Sequence, residues 1–409
     1  MPETARSSDL VLFGATGFVG RLLAATLAEH APAGTRVALA GRSRARLEQV
    51  RAALPAAADD WPLVEADTGD PASLAALAGR TRVLVSTVGP YARYGLPVVE
   101  ACARAGTHYA DLTGEVLFVR DAIDRVDAVA RDTGARIVHA CGYDSIPSDL
   151  SALLLAERAR ADGAGGLCDV RLVAALRGGF SGGTIDSMRA QMETLQADPS
   201  LRRIVRDPYA LSPDRSAEPD TRQPRDAASP ARTPDGRWTA PFVMASFNTR
   251  IVRRSNALQD WAYGRSFRYG EAMSAGRGPA GALTSVGITA GLAGALAAMS
   301  FGPTRALLDR VLPAPGTGPG EATREKGWFR MVVDAESESG RRYRATAAGK
   351  GDPGYAATAV MLREAALALA LDTDRLPDRA GSLTPATALG DVLVQRLRAA
   401  GHTYEVQAL

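Results

Sequence analysis

Cysteine, histidine and surplus charge are all scarce in this 409-residue chain, and each scarcity excludes a class of protein. Three widely separated cysteines without a C-x-x-C pair, and four histidines, predict neither a disulfide framework nor a metal site. The net charge of +3 is too balanced for a protein that wraps nucleic acid, so no nucleic-acid partner is expected. Met1–Asp9 is polar and lacks the apolar core of an export signal, which favours a cytoplasmic location.

What the first third of the chain does contain is a regular alternation of short apolar runs and amphipathic stretches. The apolar runs are Leu10–Phe13, Arg36–Ala40, Leu63–Glu65, Val83–Val88 and Ile137–His139. Short strands that alternate with helices of about 10–15 residues are typical of parallel βα units. The pattern therefore predicts an α/β fold that begins with a doubly wound parallel sheet.

The chain changes character after residue 150. A strand is predicted at Val170–Leu176, and a hairpin at Trp328–Glu336 and Arg341–Ala347, with Ser339 and Gly340 in the turn. Residues 198–241 are rich in Pro, Asp, Arg and Ser, which indicates a long surface excursion. Tyr355–Ala370 has a strong helix pattern.

An uncharged segment, residues 278–304, lies between Arg277 and Arg305. It is long enough to cross a bilayer, but its Gly and Ala residues contribute little to insertion. We predict that Gly281–Phe301 does not span a membrane and instead packs as a buried or interface helix on the second domain. Peripheral membrane contact through residues 281–301, or a lipid tunnel lined by them, remains an alternative.

A glycine-rich loop follows the first strand and opens a helix. The loop consists of Gly14, Ala15, Thr16, Gly17, Phe18, Val19 and Gly20. Gly14 allows a tight turn, Gly17 lets backbone N–H groups approach a pyrophosphate, and Gly20 permits close packing of helix on strand. The helix N-terminus adds partial positive charge for the phosphates. The loop predicts dinucleotide binding; the alternative is a glycine-rich turn without a ligand.

The end of the second strand indicates which dinucleotide binds. An acidic residue at this place would accept hydrogen bonds from the ribose of NAD, but the chain has Arg42 and Ser43 here. Arg42 can pair with a 2′-phosphate, and Ser43 can donate to it. NADP is therefore the predicted cofactor, unless Arg42 merely caps a loop.

Later strand ends supply further predicted cofactor contacts. Asp67 and Thr68 follow the third strand, where an adenine-edge contact is common. The end of the fourth strand is expected near the nicotinamide ribose, and its residues are Thr87, Val88, Gly89 and Pro90. These positions are predicted because ligands of such sheets bind outside the carboxyl ends of the strands.

Three residues are predicted to act in catalysis: Tyr91, Tyr143 and Asp144. Each follows an apolar run or precedes a helix, in a stretch that combines tyrosine, carboxylate and hydroxyl groups. Such a mixture can hold a proton donor beside a hydride acceptor. The alternative is that these residues only pack in turns and helix caps.

Together these motifs resemble the saccharopine dehydrogenase-like oxidoreductases, and most closely the trans-acting enoyl reductases of bacterial lipid and polyketide pathways. The segments that carry the resemblance are Gly14–Gly20, Ala40–Ser43, Val88–Tyr91, His108–Glu115, Gly142–Asp149, Ser181–Thr184 and Lys350–Tyr355. The resemblance implies an NADP-binding Rossmann domain (9–150) and a second, mixed-sheet α/β domain (151–350) that includes the excursion at 198–241. It also implies a C-terminal segment (351–409) whose helix returns to the first domain.

The resemblance leaves three functions open. The first is NADPH-dependent reduction of a C=C bond in a small-molecule or acyl substrate, such as a lipid or polyketide presented by a carrier protein. The second is reduction or dehydrogenation of a C–N bond of an amino-acid-derived substrate, for which Arg177, Arg189 and Arg250 are candidate carboxylate clamps. The third is a non-catalytic NADPH-binding scaffold. A homodimer also remains open.

Overall fold

The computed structural model describes residues 6–178, 182–226, 230–300, 320 and 324–409. In this part of the chain, the strands form two seven-stranded sheets. All strand pairs of the first sheet are parallel, whereas the second sheet is mixed. We call them the parallel sheet and the mixed sheet.

The parallel sheet combines six N-terminal strands with one late strand. These are β1 (Ser8–Phe13), β2 (Val37–Gly41), β3 (Leu63–Glu65), β4 (Thr81–Ser86), β5 (His108–Asp111), β6 (Arg136–Val138) and β13 (Gly381–Leu383). Their order is β13-β6-β5-β4-β1-β2-β3. The chain first adds strands on one side of β1 and then on the other, so the order reverses between β1 and β4. Ligands of doubly wound sheets bind at this reversal.

Helices alternate with the first strands, as the sequence predicts. They are α1 (Phe18–His30), α2 (Arg44–Ala52), α3 (Pro71–Gly79), α4 (Tyr91–Ala105) and α5 (Val116–Thr133). β1 and β2 are buried along their whole length, as expected for strands covered on both faces. Gly106 and Gly134 end α4 and α5 with φ angles of 65° and 76°, a left-handed conformation that favours glycine.

The mixed sheet contains the other seven strands. These are β7 (Leu167–Arg177), β8 (Ala231–Arg232), β9 (Arg237–Pro241), β10 (Arg268–Arg277), β11 (Trp328–Ser337), β12 (Arg342–Lys350) and β14 (Thr403–Ala408). Their order is β14-β12-β11-β7-β10-β9-β8, and β7 and β10 are its parallel pair. The predicted hairpin is confirmed as β11 and β12, which turn at Gly340.

The remaining helices follow β6 in the chain. They are α6 (Ile146–Ala161), α7 (Gly182–Ala197), α8 (Arg202–Arg206), α9 (Ala245–Leu258), α10 (Gly278–Ser300), α11 (Ala356–Leu371) and α12 (Pro385–Ala399). α6 and α9 pack on the mixed sheet. α11 returns to the parallel sheet and packs on α1, β1, β4 and β5, so the expected α/β fold with a returning C-terminal helix is confirmed.

Residues 198–241 are more structured than their polar composition suggests. They include α8, the edge strand β8 and its neighbour β9, and Tyr209 and Leu211 are buried. Because β8 has only 2 residues and β9 only 5, they show little of the alternating apolar pattern that reveals a strand.

The uncharged segment forms α10, which packs on β9 and β10 of the mixed sheet with one face. The prediction of a buried helix is wrong for most of its described length, whereas an interface helix stays a prediction. Gly281, Ser285 and Met299 are buried, whereas Leu283 is 76% exposed and Val286 is 58% exposed. Phe301 lies outside the described residues. Among the described helices, α10 has the length and apolar composition needed to cross a bilayer.

Candidate active site

A cavity of about 330 Å³ opens where the carboxyl ends of the parallel strands meet elements of the mixed sheet. The parallel-sheet side supplies the first turn of α1, the loop after β4 and the loops after β5 and β6. The opposite side supplies α7, the stretch from Val243 to Phe247 and the first turn of α11. The cavity therefore lies at the reversal of strand order, where the sequence places the cofactor.

The glycine loop owes its shape to close packing. Gly14 has a φ of +92°, and a Cβ at this position would lie 2.7 Å from Thr87 Oγ1 and 2.9 Å from Val88 Cγ2. A Cβ on Gly20 would lie 2.2 Å from the carbonyl oxygen of Gly14. A side chain at Gly14 would collide with the loop after β4, and a side chain at Gly20 would push the glycine loop away from α1. These two glycines make the tight approach that a dinucleotide-binding turn requires.

The first turn of α1 faces the cavity. Gly17 is the N-cap of α1, and Gly17, Phe18 and Val19 line the cavity. Ala15 is buried and Thr16 is partly buried behind them. A helix N-terminus presents backbone N–H groups and partial positive charge, so this cradle fits the pyrophosphate of a dinucleotide.

Arg42 and Ser43 lie at the carboxyl end of β2, beside the glycine loop. Arg42 is exposed, and its guanidinium has no hydrogen-bond partner among the described residues. Ser43 is the N-cap of α2, and its hydroxyl accepts a hydrogen bond from the backbone N–H of Arg46 over 3.5 Å. An uncommitted guanidinium beside a helix N-terminus is a suitable site for a second anion.

Asp67 and Thr68 follow β3 at the same edge of the sheet. The Asp67 carboxylate accepts a hydrogen bond from Gly69 N over 2.8 Å, so it shapes its own turn. Asp67 is exposed and Thr68 is partly buried. The contact that we expect between these residues and the adenine remains a prediction.

The loop after β4 joins the glycine loop to the cavity. Thr87 Oγ1 donates to the carbonyl oxygens of Phe13 and Gly14 over 3.3 and 3.1 Å. Thr87, Gly89 and Pro90 line the cavity, and Val88 packs against Gly14. The structure thus brings the predicted contacts from β4 next to those from β1.

Tyr91 lines the cavity, but its hydroxyl is already engaged in the loops. It donates to the carbonyl oxygen of Ser86 over 3.0 Å and accepts from Leu112 N over 3.2 Å. Burial, followed by the negative charge of Asp111, raises the pKa of Tyr91 well above its ordinary value. These contacts suit a residue that fixes the shape of the wall better than one that exchanges a proton.

Asp144 belongs to the cavity wall, whereas Tyr143 does not. The Asp144 carboxyl has no hydrogen-bond partner among the described residues, and burial raises its pKa to about 7. The Tyr143 ring packs edge-on against Phe329 at 5.2 Å, and its buried hydroxyl lacks a hydrogen-bond partner in the described structure. The structure therefore does not bring all three predicted catalytic residues together.

Comparison with known proteins agrees with this geometry. The family described as "Saccharopine dehydrogenase NADP binding domain" matches residues 10–138. A trans-acting enoyl reductase of Mycobacterium bovis is 50% identical over 413 residues, covering 98% of both chains. A Mycobacterium tuberculosis protein provisionally named as a trans-acting enoyl reductase is 52% identical over 419 residues, covering 100% of both chains.

The chain belongs to the trans-acting enoyl reductase family. Relatives at 50–52% identity are named enoyl reductases, and residues 10–138 match the NADP-binding domain. The protein is therefore an NADP-dependent oxidoreductase. A solved apo saccharopine dehydrogenase of Saccharomyces cerevisiae has the same fold, with a TM-score of 0.54 and 12% identity over 98% of this chain and 99% of that chain.

In this trans-acting enoyl reductase family member, Glu115 has a position that sequence reasoning missed. Its carboxylate accepts hydrogen bonds from the backbone N–H groups of Tyr91 and Ala92 over 3.0 and 2.7 Å, which caps α4. It also accepts from the Ser187 hydroxyl of α7 over 2.6 Å. Burial raises the pKa of Glu115, while these hydrogen bonds oppose the shift. A Glu that directly precedes a predicted helix was the available signal.

A second wall of the cavity in this family member is mostly apolar, and the sequence analysis did not predict its residues. Met188, Val243, Met244 and Phe247 line it opposite the α1 N-terminus, together with Leu112. Tyr355 closes one end; its hydroxyl accepts from Gly182 N over 3.1 Å, and its ring lies edge-on to Phe18. Apart from Phe18, these residues lie far along the chain from the glycine loop, so no local pattern relates them to it.

Proposed function

We propose that this protein reduces the C=C bond of an apolar enoyl substrate, such as a lipid or polyketide acyl chain, with NADPH as the reductant. The observation that supports this proposal most is the wall of the cavity. Among the described residues that line it, the carboxyl groups of Asp144 and Asp186 are the ionisable acids, and no Arg or Lys is present. Such a wall suits an uncharged acyl chain.

The same wall disfavours the C–N alternative. A substrate that carries amino-acid carboxylates needs cationic side chains to bind them. Arg177, Arg189 and Arg250 are not among the lining residues, and Arg250 pairs with Asp226 over 2.5 Å. The acidic Asp186 side chain in the wall would instead repel a carboxylate.

We propose that the chain holds NADPH with groups from the glycine loop and from β2. The backbone N–H groups at Gly17–Val19 would bind the pyrophosphate, and Arg42 with Ser43 would bind the 2′-phosphate. The loop from Thr87 to Pro90 would lie beside the nicotinamide ribose. When bound there, NADPH supplies the hydride that is added to the β-carbon of the enoyl group.

Asp144 is the residue that we propose as the proton donor. Its carboxyl lines the cavity and, because its pKa is about 7, about half of these carboxyl groups hold a proton in neutral solution. Transfer of that proton to the α-carbon completes the addition of one hydride and one proton across the double bond. Solvent then restores the proton to the carboxylate.

The test compares substrates and variants by NADPH oxidation. We expect long-chain 2-enoyl thioesters to oxidise NADPH, and a glutamate–aldehyde pair to have no effect. Asp144→Asn should lower kcat about 100-fold or more, because a positioned acid contributes this much. The control is Asp60→Asn, which changes an exposed carboxyl away from the cavity. Activity with the amino-acid pair alone would contradict the proposal.

The pH dependence provides an independent check of Asp144. Its protonated form is the donor, so kcat should fall as pH rises through about 7. The falling limb should disappear in Asp144→Asn, while NADPH affinity stays unchanged. If the limb persists in this variant, another group supplies the proton.

A further inference from the structure

One face of α10 is attached to the protein. Gly281, Ser285 and Met299 are buried, and they lie on the same face because 4 and 18 residues are about one and five helical turns. The Ser285 hydroxyl donates to the carbonyl oxygen of Thr239 in β9 over 2.5 Å. α10 also contacts β10. The helix is therefore held against β9 and β10 of the mixed sheet.

The opposite face of α10 is open and uncharged. Leu283 is 76% exposed and Val286 is 58% exposed, and the exposed residues Ala290, Ala293 and Ala297 continue the same face. Residues 278–300 include no Asp, Glu, Lys or Arg. A surface helix of a water-soluble protein normally has a charged outer face. This outer face is suited to a medium without charge.

Basic residues flank the N-terminal end of this face. Arg277 and Arg237 are about half exposed and share Asp235, at 3.4 and 2.7 Å, so two positive charges meet one negative charge. The group keeps one net positive charge beside the apolar face. Arginine next to an apolar helix face is the pattern that favours anionic lipid headgroups.

We propose that α10 seats the protein on the surface of a lipid bilayer, with the face from Leu283 to Ala297 in the outer part of one leaflet. The attached face prevents the helix from crossing the bilayer alone. A second copy of the chain is a poorer occupant, because the exposed face lacks the aromatic and arginine anchors that dominate protein interfaces. A lipid surface requires only that the face be apolar and uncharged.

The position of α10 connects this surface with the active site. α10 contacts α7, and α7 contributes Asp186, Ser187, Met188 and Gln191 to the cavity wall. A bilayer against α10 would therefore lie beside the wall of the cavity. The proposal concerns location and does not depend on which bond the enzyme reduces.

Vesicle flotation tests the proposal on the full-length protein. We expect the unmodified protein to float with phosphatidylcholine vesicles that contain phosphatidylglycerol. The double variant Leu283→Asp, Val286→Asp should bind at least about tenfold less, because a carboxylate in the apolar part of a leaflet is costly. Its matched control is Val129→Asp, Leu371→Asp, which changes two apolar residues that are 37% and 40% exposed elsewhere. The control should still float, and both variants should keep the unmodified melting temperature.

A fluorescent label gives a second measurement. An environment-sensitive dye on Ala290→Cys, in a Cys168→Ser background, should brighten when vesicles are added, whereas a dye on the exposed Ala45→Cys should not. Failure of the unmodified protein to float would overturn the proposal, as would equal loss in both double variants. A dimer that is lost only in the Leu283, Val286 variant would show that a second copy covers the face. Resistance of the bound protein to a carbonate wash would show an integral anchor.

Discussion

Arg42 is the residue on which the cofactor preference depends. It lies exposed at the end of β2, and its guanidinium has no partner among the described residues. Because the Arg42 guanidinium makes no hydrogen bond within the described structure, it does not help to stabilise the fold. The guanidinium is therefore available to a ligand, and its replacement should leave the fold intact.

Arg42→Ala should remove most of the preference for NADPH over NADH. We expect the unmodified protein to bind NADPH at least about tenfold more tightly, because a hydrogen bond to a charged group contributes roughly 1.5–3 kcal/mol. Calorimetric titration with both cofactors measures the preference. Arg80→Ala is the control, since Arg80 is exposed at the opposite end of β4. Equal affinity of the unmodified protein for both cofactors would disprove the assignment.

At the residue scale, sequence reasoning identified chemistry better than it identified geometry. It selected Tyr91, Tyr143 and Asp144 as equals because each is a polar side chain at a strand or helix end. The structure distinguishes them, since the Tyr91 hydroxyl is hydrogen-bonded to the backbone of the loops after β4 and β5, whereas the Tyr143 ring packs on Phe329. The direction in which a side chain points depends on neighbours that are distant in sequence, so a local sequence pattern does not predict it.

At the scale of elements, the glycine loop combines two physical demands. Gly20 allows α1 to approach the loop, whereas Gly17 faces the cavity. The same substitution should therefore have different effects at the two places. This contrast separates a folding role from a binding role.

Gly17→Val should abolish NADPH binding and change the melting temperature of the apo protein little, because Gly17 lines the cavity at the N-cap of α1, where the pyrophosphate would lie. Gly20→Val should lower the melting temperature strongly, because its Cβ alone would lie 2.2 Å from the Gly14 carbonyl oxygen. Thermal unfolding with and without NADPH measures both effects. Protection of Gly17→Val by NADPH would mean that the phosphates bind elsewhere.

The elements themselves were largely predictable where the local pattern is strong. The parallel strands, the hairpin of β11 and β12 and the helix α11 follow from apolar periodicity and turn residues. The exposure of α10 did not follow, because composition reveals that a helix is apolar and does not reveal what lies against it. The burial of Tyr209 within a polar stretch was hidden for the same reason.

For the whole molecule, buried carboxyl groups should make stability depend on pH. Burial raises the pKa of both Asp149 and Glu271 to about 7, from 3.8 and 4.5. Between these values the folded state binds more protons than the unfolded state, so stability falls as pH rises through about 7. Burial also lowers the pKa of His108 and His402 to about 4, which has the opposite effect below pH 6.5.

We therefore expect a higher melting temperature at pH 6.5 than at pH 8, because the carboxyl groups lose their contribution over this interval, whereas the unfolded-state histidines are already about half deprotonated at pH 6.5. Glu271→Gln imitates the protonated carboxyl and should flatten this dependence. The control is Glu48→Gln, which changes an exposed carboxyl on α2. Scanning calorimetry at both pH values is the measurement. A melting temperature that rises with pH over this interval would refute the prediction.

The contact between Glu115 and Ser187 also bears on the order in which ligands bind. Glu115 holds the start of α4, which follows the loop beside the proposed nicotinamide position, and it holds α7 on the other side of the cavity. A second tie, Arg93 to Glu193 over 2.6 Å, joins the same two helices. Movement of α7 away from α4 would stretch both of these contacts. A dinucleotide bound beside Pro90 would hold the α4 end of each contact in place. The enzyme should therefore follow ordered kinetics, in which NADPH binds first and the proposed acyl substrate binds second, and product-inhibition kinetics would measure this order.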